Sequence, residues 1–478
     1  MINDIIWLLI KIFNYFVLLF FIGFNSFYLL TSLLAFRAIR KYSKRLKSVS
    51  TDELLSSSGL PPITLIAPAF NEEATCVESA KSLLTLNYPE YEILIVNDGS
   101  TDHTLKRLTE AFDLVPLPRL PMAKIETAEI RGVYQSRRFR RLWVIDKVNG
   151  GKSDAINVGI NYCRDPLFCV LDADSLLERN ALIRIVRPFL EDQNTVATGG
   201  IIRIINGCTV RSGSVVKVEL PDKILPRFQV LEYLRAFLFG RMGWDAVNAT
   251  LIISGAFGIF KRSMVVQVGG YSTDTVGEDM ELIVRIHRHC RENNIPYRIN
   301  FIPDPVAWTE CPETLSVLGR QRDRWQRGLW DSLMRHKTML LNPKYGAIGL
   351  IAYPYFFAFE MLGPIIEFFG YISFFVTLAL GKASVVYVSA FFTVAFLLGI
   401  ALSVSAVGLD ELSFRRYKKL SDLLRLFVLA IVENFGYRQF LTFCRFKGII
   451  SAIRNKKGWG KMERKGFARN EVEQTLEN

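Results

Sequence analysis

Three apolar runs in the first half of the chain each end in acidic or amide residues. "LIAPAFNEEA" ends on Asn71, Glu72 and Glu73. "ILIVNDGSTD" ends on Asn97 and Asp98, with Asp102 after the turn, and "CVLDADS" ends on Asp172 and Asp174. Any one of these is an ordinary turn, because Asx and Gly residues form turns readily. Three in one region point to chemistry. Asp172 and Asp174 are the sharpest pair. Two carboxylates spaced D-x-D at a strand end can present hard oxygen ligands to Mg2+ or Mn2+, and Mg2+ typically takes one or two carboxylates beside substrate phosphates.

Four further stretches carry candidate groups. "NGGKSDAINVGI" (149–160) joins two glycines to Lys152 ahead of a helix-like run. Glycines let a backbone approach a ligand, and the lysine is a point charge for a diphosphate. The spacing is neither a P-loop nor G-x-G-x-x-G, which disfavours a dinucleotide fold. "VGEDMELIVRIHR" sets Glu278 and Asp279 at the head of another helix-like run. Acidic residues are favoured there by the helix dipole, and one within reach of an acceptor's proton can serve as general base. "ISGAFGIF" holds Ser254 and Gly255, small enough to let a flat substrate pass. "RQRDRWQRGLW" (320–330) packs four arginines and two tryptophans into eleven residues. These residue types suit a membrane interface as well as a phosphate and a sugar ring; on a helix Gln321, Arg324, Trp325 and Gly328 share one face, which leaves the other arginines to the interface, with Asp323 a possible partner for Arg320 and Arg327.

The apolar, β-branched runs alternate with helix-like stretches such as "ATCVESAKSLLTL". That alternation predicts an α/β domain with a mostly parallel sheet, whose ligands lie at the carboxyl ends of the strands. The basic stretch from about 113 to 145 reads as an insertion or long loop. Residues 12–36 carry no charge, enough to span a hydrocarbon core of about 30 Å as a helix. "RAIRKYSKRLK" follows and places that side in the cytoplasm. An apolar region from Tyr345 to Leu380 is broken by Pro364, and 383–409 is an uncharged span. The stretch 422–441 carries four charges and reads equally as a channel-lining span, a re-entrant segment or a surface helix. The expected organisation is therefore a transmembrane helix with basic flank (1–47), a linker (48–60), an α/β domain (61–318), an amphipathic interface helix region (319–342), a transmembrane region (343–443) and a basic, then polar, cytoplasmic tail (444–478).

The 478 residues are 50% hydrophobic, with a net charge of +13. No motif beyond charge supports a nucleic-acid partner. Seven scattered cysteines with no CxxC pair read as free, mostly buried thiols in a reducing compartment. His287, His289 and Cys290 ("HRHC") have the wrong helical spacing for zinc.

"PAFNEE", "VNDGSTD", "NGGKSDA", "DADS", "GED" and "QRDRW" occur in an order and spacing that resembles the membrane-integrated processive family 2 glycosyltransferases, which include cellulose, hyaluronan, chitin and poly-N-acetylglucosamine synthases. The resemblance covers about residues 60 to 340 and the flanking spans. It implies a cytoplasmic, Rossmann-like GT-A domain with flanking transmembrane helices in the plasma (inner) membrane. It implies a UDP-sugar donor with Mg2+ or Mn2+, a growing polysaccharide as acceptor, contact with membrane lipid, and room for accessory secretion proteins. By the same resemblance, Pro68, Glu72 and Asp98 would lie at the donor nucleotide, with Glu72 and Asp98 on the uridine. Lys152 would sit near the diphosphate, Asp172 at the nucleotide or metal, and Asp174 on the metal. Asp279 would be the base with Glu278 beside it, and Arg324 would contact the diphosphate. Gln321, Trp325, Ser254 and Gly255 would serve the acceptor, with Trp325 stacking on its sugar. One position departs from the family pattern: Gly277 stands where threonine is common.

Overall fold

The computed structural model describes residues 2–46, 55, 59–172, 175–211, 213–417, 419–456 and 458. The expected linker and polar tail therefore fall largely outside the described residues, as does Asp174.

The apolar runs fold as strands β1 (Ile63–Ala69), β2 (Tyr91–Asp98) and β6 (Leu167–Leu171), almost wholly buried. Their period of two sorts side chains onto two faces. Ile63, Leu65 and Ala67 join one core with helices α2 (Cys76–Leu84) and α3 (Thr104–Phe112). Ile66, Leu94 and Val96 join the other with α4 (Lys152–Tyr162) and α5 (Glu278–Glu292).

The ten-stranded sheet has the order β3-β4-β5-β2-β1-β6-β11-β8-β12-β7. It is mixed, where the sequence pattern predicts mostly parallel pairing. Strands β5 (Leu142–Lys147), β2, β1 and β6 are parallel neighbours, and β8 (Thr195–Ile204) pairs parallel with β12 (Arg298–Thr309). Between these blocks β11 (Phe257–Lys261) runs antiparallel to both β6 and β8. The expected insertion at 113–145 is not an irregular loop. It supplies β3 (Leu114–Pro116), β4 (Ile130–Ser136) and β5, and extends the sheet edge antiparallel. Its arginines hid the strands because β4 is buried at only one residue, Ser136. The edge β7 (Leu176–Leu177) closes the far side, and β9 (Thr209–Arg211) with β10 (Ser214–Lys217) forms a separate hairpin.

Two helices among the described residues are long and apolar enough to cross a membrane: Asn3–Lys44 within α1 (Ile2–Leu46), and Val385–Phe414 (α8). The region broken by Pro364 is a helical pair, Ile348–Met361 and α7 (Gly363–Ala379), bent by 42°. Of the readings open for 422–441, a single continuous span is excluded. Gly436, at φ +104°, separates α9 (Leu420–Val432) from α10 (Tyr437–Ile453).

The apolar core does not stop at the edge of the α/β domain. Ile201 and Ile202 of β8 and Phe301 of β12 share one cluster with Ala406, Val407 and Leu409 of α8 and Leu426 and Leu429 of α9. Arg203, at the end of β8, forms a buried ion pair with Asp410 of α8. Arg416 is 2.6 Å from Glu178, beside β7. All seven cysteines are free and buried. His287 is committed structurally, its ring nitrogens 2.8 Å from the Tyr297 hydroxyl and from the Thr250 carbonyl.

Candidate active site

Because β5, β2, β1 and β6 lie side by side and parallel, their carboxyl ends open on one edge. Asp98 ends β2, and its carboxylate is the post around which the glycine loop folds. Oδ1 accepts from Lys147 Nζ at 2.5 Å and from the Gly150 amide at 2.9 Å. Oδ2 accepts from the Gly151 amide at 2.8 Å and from Asn149 Nδ2 at 3.2 Å. A carboxylate has about four acceptor positions, so these four bonds use them all. The approach requires glycine at 99, where φ is +65° and a Cβ would fall 2.6 Å from the Asn149 nitrogen. Lys147, fully buried, also lies 2.7 Å from Asp154 on α4. Neither Lys147 nor Asp154 stands out in the sequence, although a lysine closing the apolar strand "LWVID" is a signal in itself.

This loop delivers Lys152 as the first residue of α4. Its Nζ donates to Asp172 Oδ1 at 2.5 Å and lies 3.8 Å from Glu278 Oε1. Burial would lower the Lys152 pKa, but Asp172 and Glu278 outweigh it and hold the ammonium above its ordinary value. Glu278 is 4% exposed. Burial pushes its carboxyl up to about 7, against the opposing charges of Lys152 and Arg324. Asp279, half-buried, accepts from the Gly255 amide at 3.1 Å and from the Met280 amide at 2.8 Å. A Cβ on Gly255 would stand 3.2 Å from Lys152 Nζ and 3.6 Å from Asp279, so glycine leaves the cleft open there. Lys152, Asp172, Gly255, Glu278 and Asp279 thus form one cluster, with Ser254 half-buried next to it.

The helix containing "RQRDRWQRGLW" is α6 (Leu315–Arg335). It packs on the start of α5 by glycine against glycine: a Cβ on Gly277 would lie 2.5 Å from Gly328 Cα, and one on Gly328 would lie 2.7 Å from Gly277 Cα. This explains glycine where the family pattern has threonine. The contact brings Arg324 close enough to act on Glu278. Gln321 is buried and accepts from Arg322 at 2.7 Å, and Trp325 is 43% exposed with the Arg322 guanidinium 4.1 Å over its ring. The expectation that the other arginines face a membrane interface is corrected for two of them. Arg322 and Arg327 are buried, Arg322 on Glu232 at 2.8 Å and Arg327 on Asp323 at 2.9 Å.

Of the other expected donor residues, Pro68 lies half-buried on β1 opposite Val96 of β2. Glu72 accepts from the Thr75 hydroxyl at 2.6 Å, near the rim. Asn71, Glu73 and Asp102 stitch the loops after β1 and β2: Asn71 Oδ1 accepts from the Thr101 amide, and Asp102 Oδ2 from the Glu73 amide.

A metal would find a small donor set. No three His, Cys, Asp or Glu side chains among the described residues converge to hold an ion. Asp172, 26% exposed at the side chain, is the carboxylate at the strand end with room toward the cleft. One or two carboxylates completed by phosphate oxygens is a donor set that Mg2+ accepts.

The open strand edge thus carries an acid–lysine cluster on a mixed α/β sheet. Residues 64–264 match the family model for glycosyl transferase family 2, and residues 167–404 match that for glycosyl transferase family group 2. The chain belongs to the family 2 glycosyltransferases. It is similar to a poly-beta-1,6-N-acetyl-D-glucosamine synthase of Staphylococcus aureus, with 29% identity over 329 residues, 68% of this chain and 67% of that one. The corresponding Staphylococcus epidermidis enzyme is 28% identical over 274 residues, 57% of this chain and 56% of that one. Among solved structures, a mannosyltransferase from Pyrobaculum calidifontis in complex with GDP-Man and Mn2+ aligns with a TM-score of 0.49 at 16% identity, covering 91% of this chain and 100% of that one.

Proposed function

We propose that this chain is a membrane-embedded, inverting β-glycosyltransferase that polymerises N-acetylglucosamine from UDP-N-acetylglucosamine. In this reading the catalytic domain faces the cytoplasm, the inner membrane holds the spans, and synthesis is coupled to passage of the product across it. The choice of sugar follows the staphylococcal relatives. The observation that supports the reading is the glycine contact between α5 and α6, which holds the helix bearing Arg324 and Trp325 against the start of α5, where Glu278 and Asp279 stand.

In the reaction, the acceptor hydroxyl oxygen bonds to the donor's anomeric carbon as the bond from that carbon to the diphosphate breaks, and the acceptor proton goes to Asp279. The Gly255 amide orients Asp279 by holding one carboxylate oxygen. Lys152 and Arg324 supply fixed positive charge for the departing diphosphate, in a site where such preorganised charge counts most. Asp98, saturated by the glycine loop, acts by placing Lys152. Asp172, with Asp174, would hold Mg2+ or Mn2+, which supplies further charge neutralisation for the diphosphate. Single displacement turns an α-linked donor into a β-linked product.

The test is purified protein in lipid nanodiscs with UDP-N-acetylglucosamine and Mg2+ or Mn2+. Long chains cut by a β-1,6-specific N-acetylglucosaminidase are expected. Products extended by one sugar only would show single transfer instead, and UDP release with a different sugar donor alone would overturn the choice of substrate.

A further inference from the structure

The indole of Trp325 rests on a polar cluster that has no part in the scheme above. Arg322, three residues before it on α6, lays its guanidinium 4.1 Å over the indole ring. Residues three apart on a helix are neighbours, so this contact is local. What holds the guanidinium comes from elsewhere in the chain as well. Arg322 Nη1 donates to Gln321 Oε1 at 2.7 Å, and Nη2 donates at 2.8 Å to Glu232 Oε2, on the helix Ile224–Tyr233. The same Glu232 oxygen accepts at 2.8 Å from the hydroxyl of Tyr437, the first residue of α10. The Tyr437 ring stacks in turn on Phe228, with centroids 4.9 Å apart and planes 24° apart.

Burial sorts these residues into a support and a platform. Arg322, Gln321 and Tyr437 are buried, whereas Trp325 is 43% exposed. A ring with a buried cation over one face keeps its exposed surface for the edge and the opposite face. The guanidinium is planar and is tied by two directed hydrogen bonds, so it cannot turn with the indole and fixes the plane in which the open face lies. Locking a binding side chain through its neighbours in this way is what sets its precision. Tyr437 follows directly on Gly436, the break between α9 and α10. The support therefore draws on three separate elements to hold one aromatic ring.

We propose that Arg322 is a positioning residue for the acceptor: backed by Glu232 and Tyr437, it holds the Trp325 indole so that its open face receives the terminal sugar of the growing chain. This rests on the proposed function and on Trp325 as the acceptor's stacking partner. Arg322 itself touches no substrate and acts only through Trp325.

The experiment is a double-mutant cycle of Arg322→Lys and Trp325→Ala in nanodiscs, with UDP-N-acetylglucosamine as donor and a short β-1,6-linked N-acetylglucosamine oligosaccharide as acceptor probe. Lysine keeps a positive charge for Glu232 but not the planar fork. Arg322→Lys alone should raise acceptor KM about tenfold, within the range that coupled neighbouring side chains show. In the Trp325→Ala background the same substitution should change KM by less than about twofold, because no ring is left to hold. UDP affinity should stay within about twofold of wild type throughout, since only acceptor binding is touched. Tyr437→Phe removes one hydroxyl and keeps the stack on Phe228. It should raise acceptor KM in the same direction, and it takes the place of Arg322→Lys in the cycle if the lysine variant fails to fold. A wild-type acceptor KM in Arg322→Lys, equal effects with and without Trp325, or UDP affinity falling as much as acceptor affinity would overturn the assignment. Failure of wild type to use this donor and acceptor, or a wild-type acceptor KM in Trp325→Ala, would overturn the underlying reading and this inference with it, whereas additive effects in the cycle overturn this inference alone.

Discussion

Replacing Gly328 by alanine sets two effects of known size against each other. Alanine in a helix interior is worth about 1 kcal/mol over glycine. Against this, the new methyl would stand 2.7 Å from Gly277 Cα and 3.0 Å from the Gly277 nitrogen. These are backbone atoms at the head of α5, which cannot rotate away as a side-chain tip can. Overpacking of that kind costs about 1–3 kcal/mol. Gly319, on the same helix, is the control, since its methyl would meet Cys444 Sγ at 3.4 Å and Phe440 at 3.9 Å, ordinary contact distances. The propensity gain is common to both variants and cancels between them. Gly328→Ala should therefore be less stable than Gly319→Ala by about 1–3 kcal/mol, read as the order of apparent Tm in nanodiscs. It should also lose roughly tenfold or more in transfer, because a shift of about 1 Å near the reacting groups can cost two orders of magnitude. UDP affinity should change less than transfer. A Gly328→Ala protein as stable and as active as Gly319→Ala would refute the claim that this contact holds α6 in register with α5.

Asp279→Asn should reduce transfer by about 10²–10⁴-fold while UDP binds nearly as in wild type; normal turnover would remove Asp279 from the mechanism. Lys147→Met leaves Asp98 and Asp154 without their shared buried cation, and breaking such a pair costs roughly 3–5 kcal/mol. A clear drop in apparent Tm together with weakened UDP binding is expected, and an unchanged Tm would contradict the role of Lys147 as the support of the glycine loop. Glu278 is raised from 4.5 to about 7, so between those values the folded chain holds more protons than the unfolded one. Its contribution to stability is therefore lost as pH rises through that window, at about 1.4 kcal/mol per pKa unit. Glu278→Gln should flatten the fall in apparent Tm between pH 5 and 8; an identical slope would assign it to other groups.

The parallel strands β2, β1 and β6 were legible because fully buried strands write continuous apolar runs. The mixed pairing was not, since antiparallel β11 reads like any short apolar strand, and direction is decided by connections far along the chain. Strands β3 and β4 were obscured because strands on the half-exposed side of the sheet need no continuous apolar face and arginines there cost little, and the buried β5 was absorbed into the same basic stretch. Glu278, Asp279 and Lys152 could be picked out because they stand at the heads of two helix-like runs, each entered through glycine, although the helix dipole by itself also favours acidic residues there. Arg322 was misjudged for the converse reason: its partner Glu232 is an ordinary residue until folding brings it within 3 Å, whereas Asp323, four positions before Arg327 on the same helix, is a partner that helical spacing itself offers. Gly277 looked like a departure from a motif, and only its neighbour Gly328, 51 positions away, gives it a cause.

Modularity in this protein ends where the sequence would cut it. A fragment ending near residue 318 or 343 looks like a complete α/β unit, but it would expose Ile201, Ile202 and Phe301 to water and leave Arg203 buried without Asp410. The sheet and the apolar helices are one folding unit with two sequence styles. Exchange of parts between relatives must then carry β8, β12, α8 and α9 together, so the catalytic sheet and the helices beneath it are inherited as a single piece.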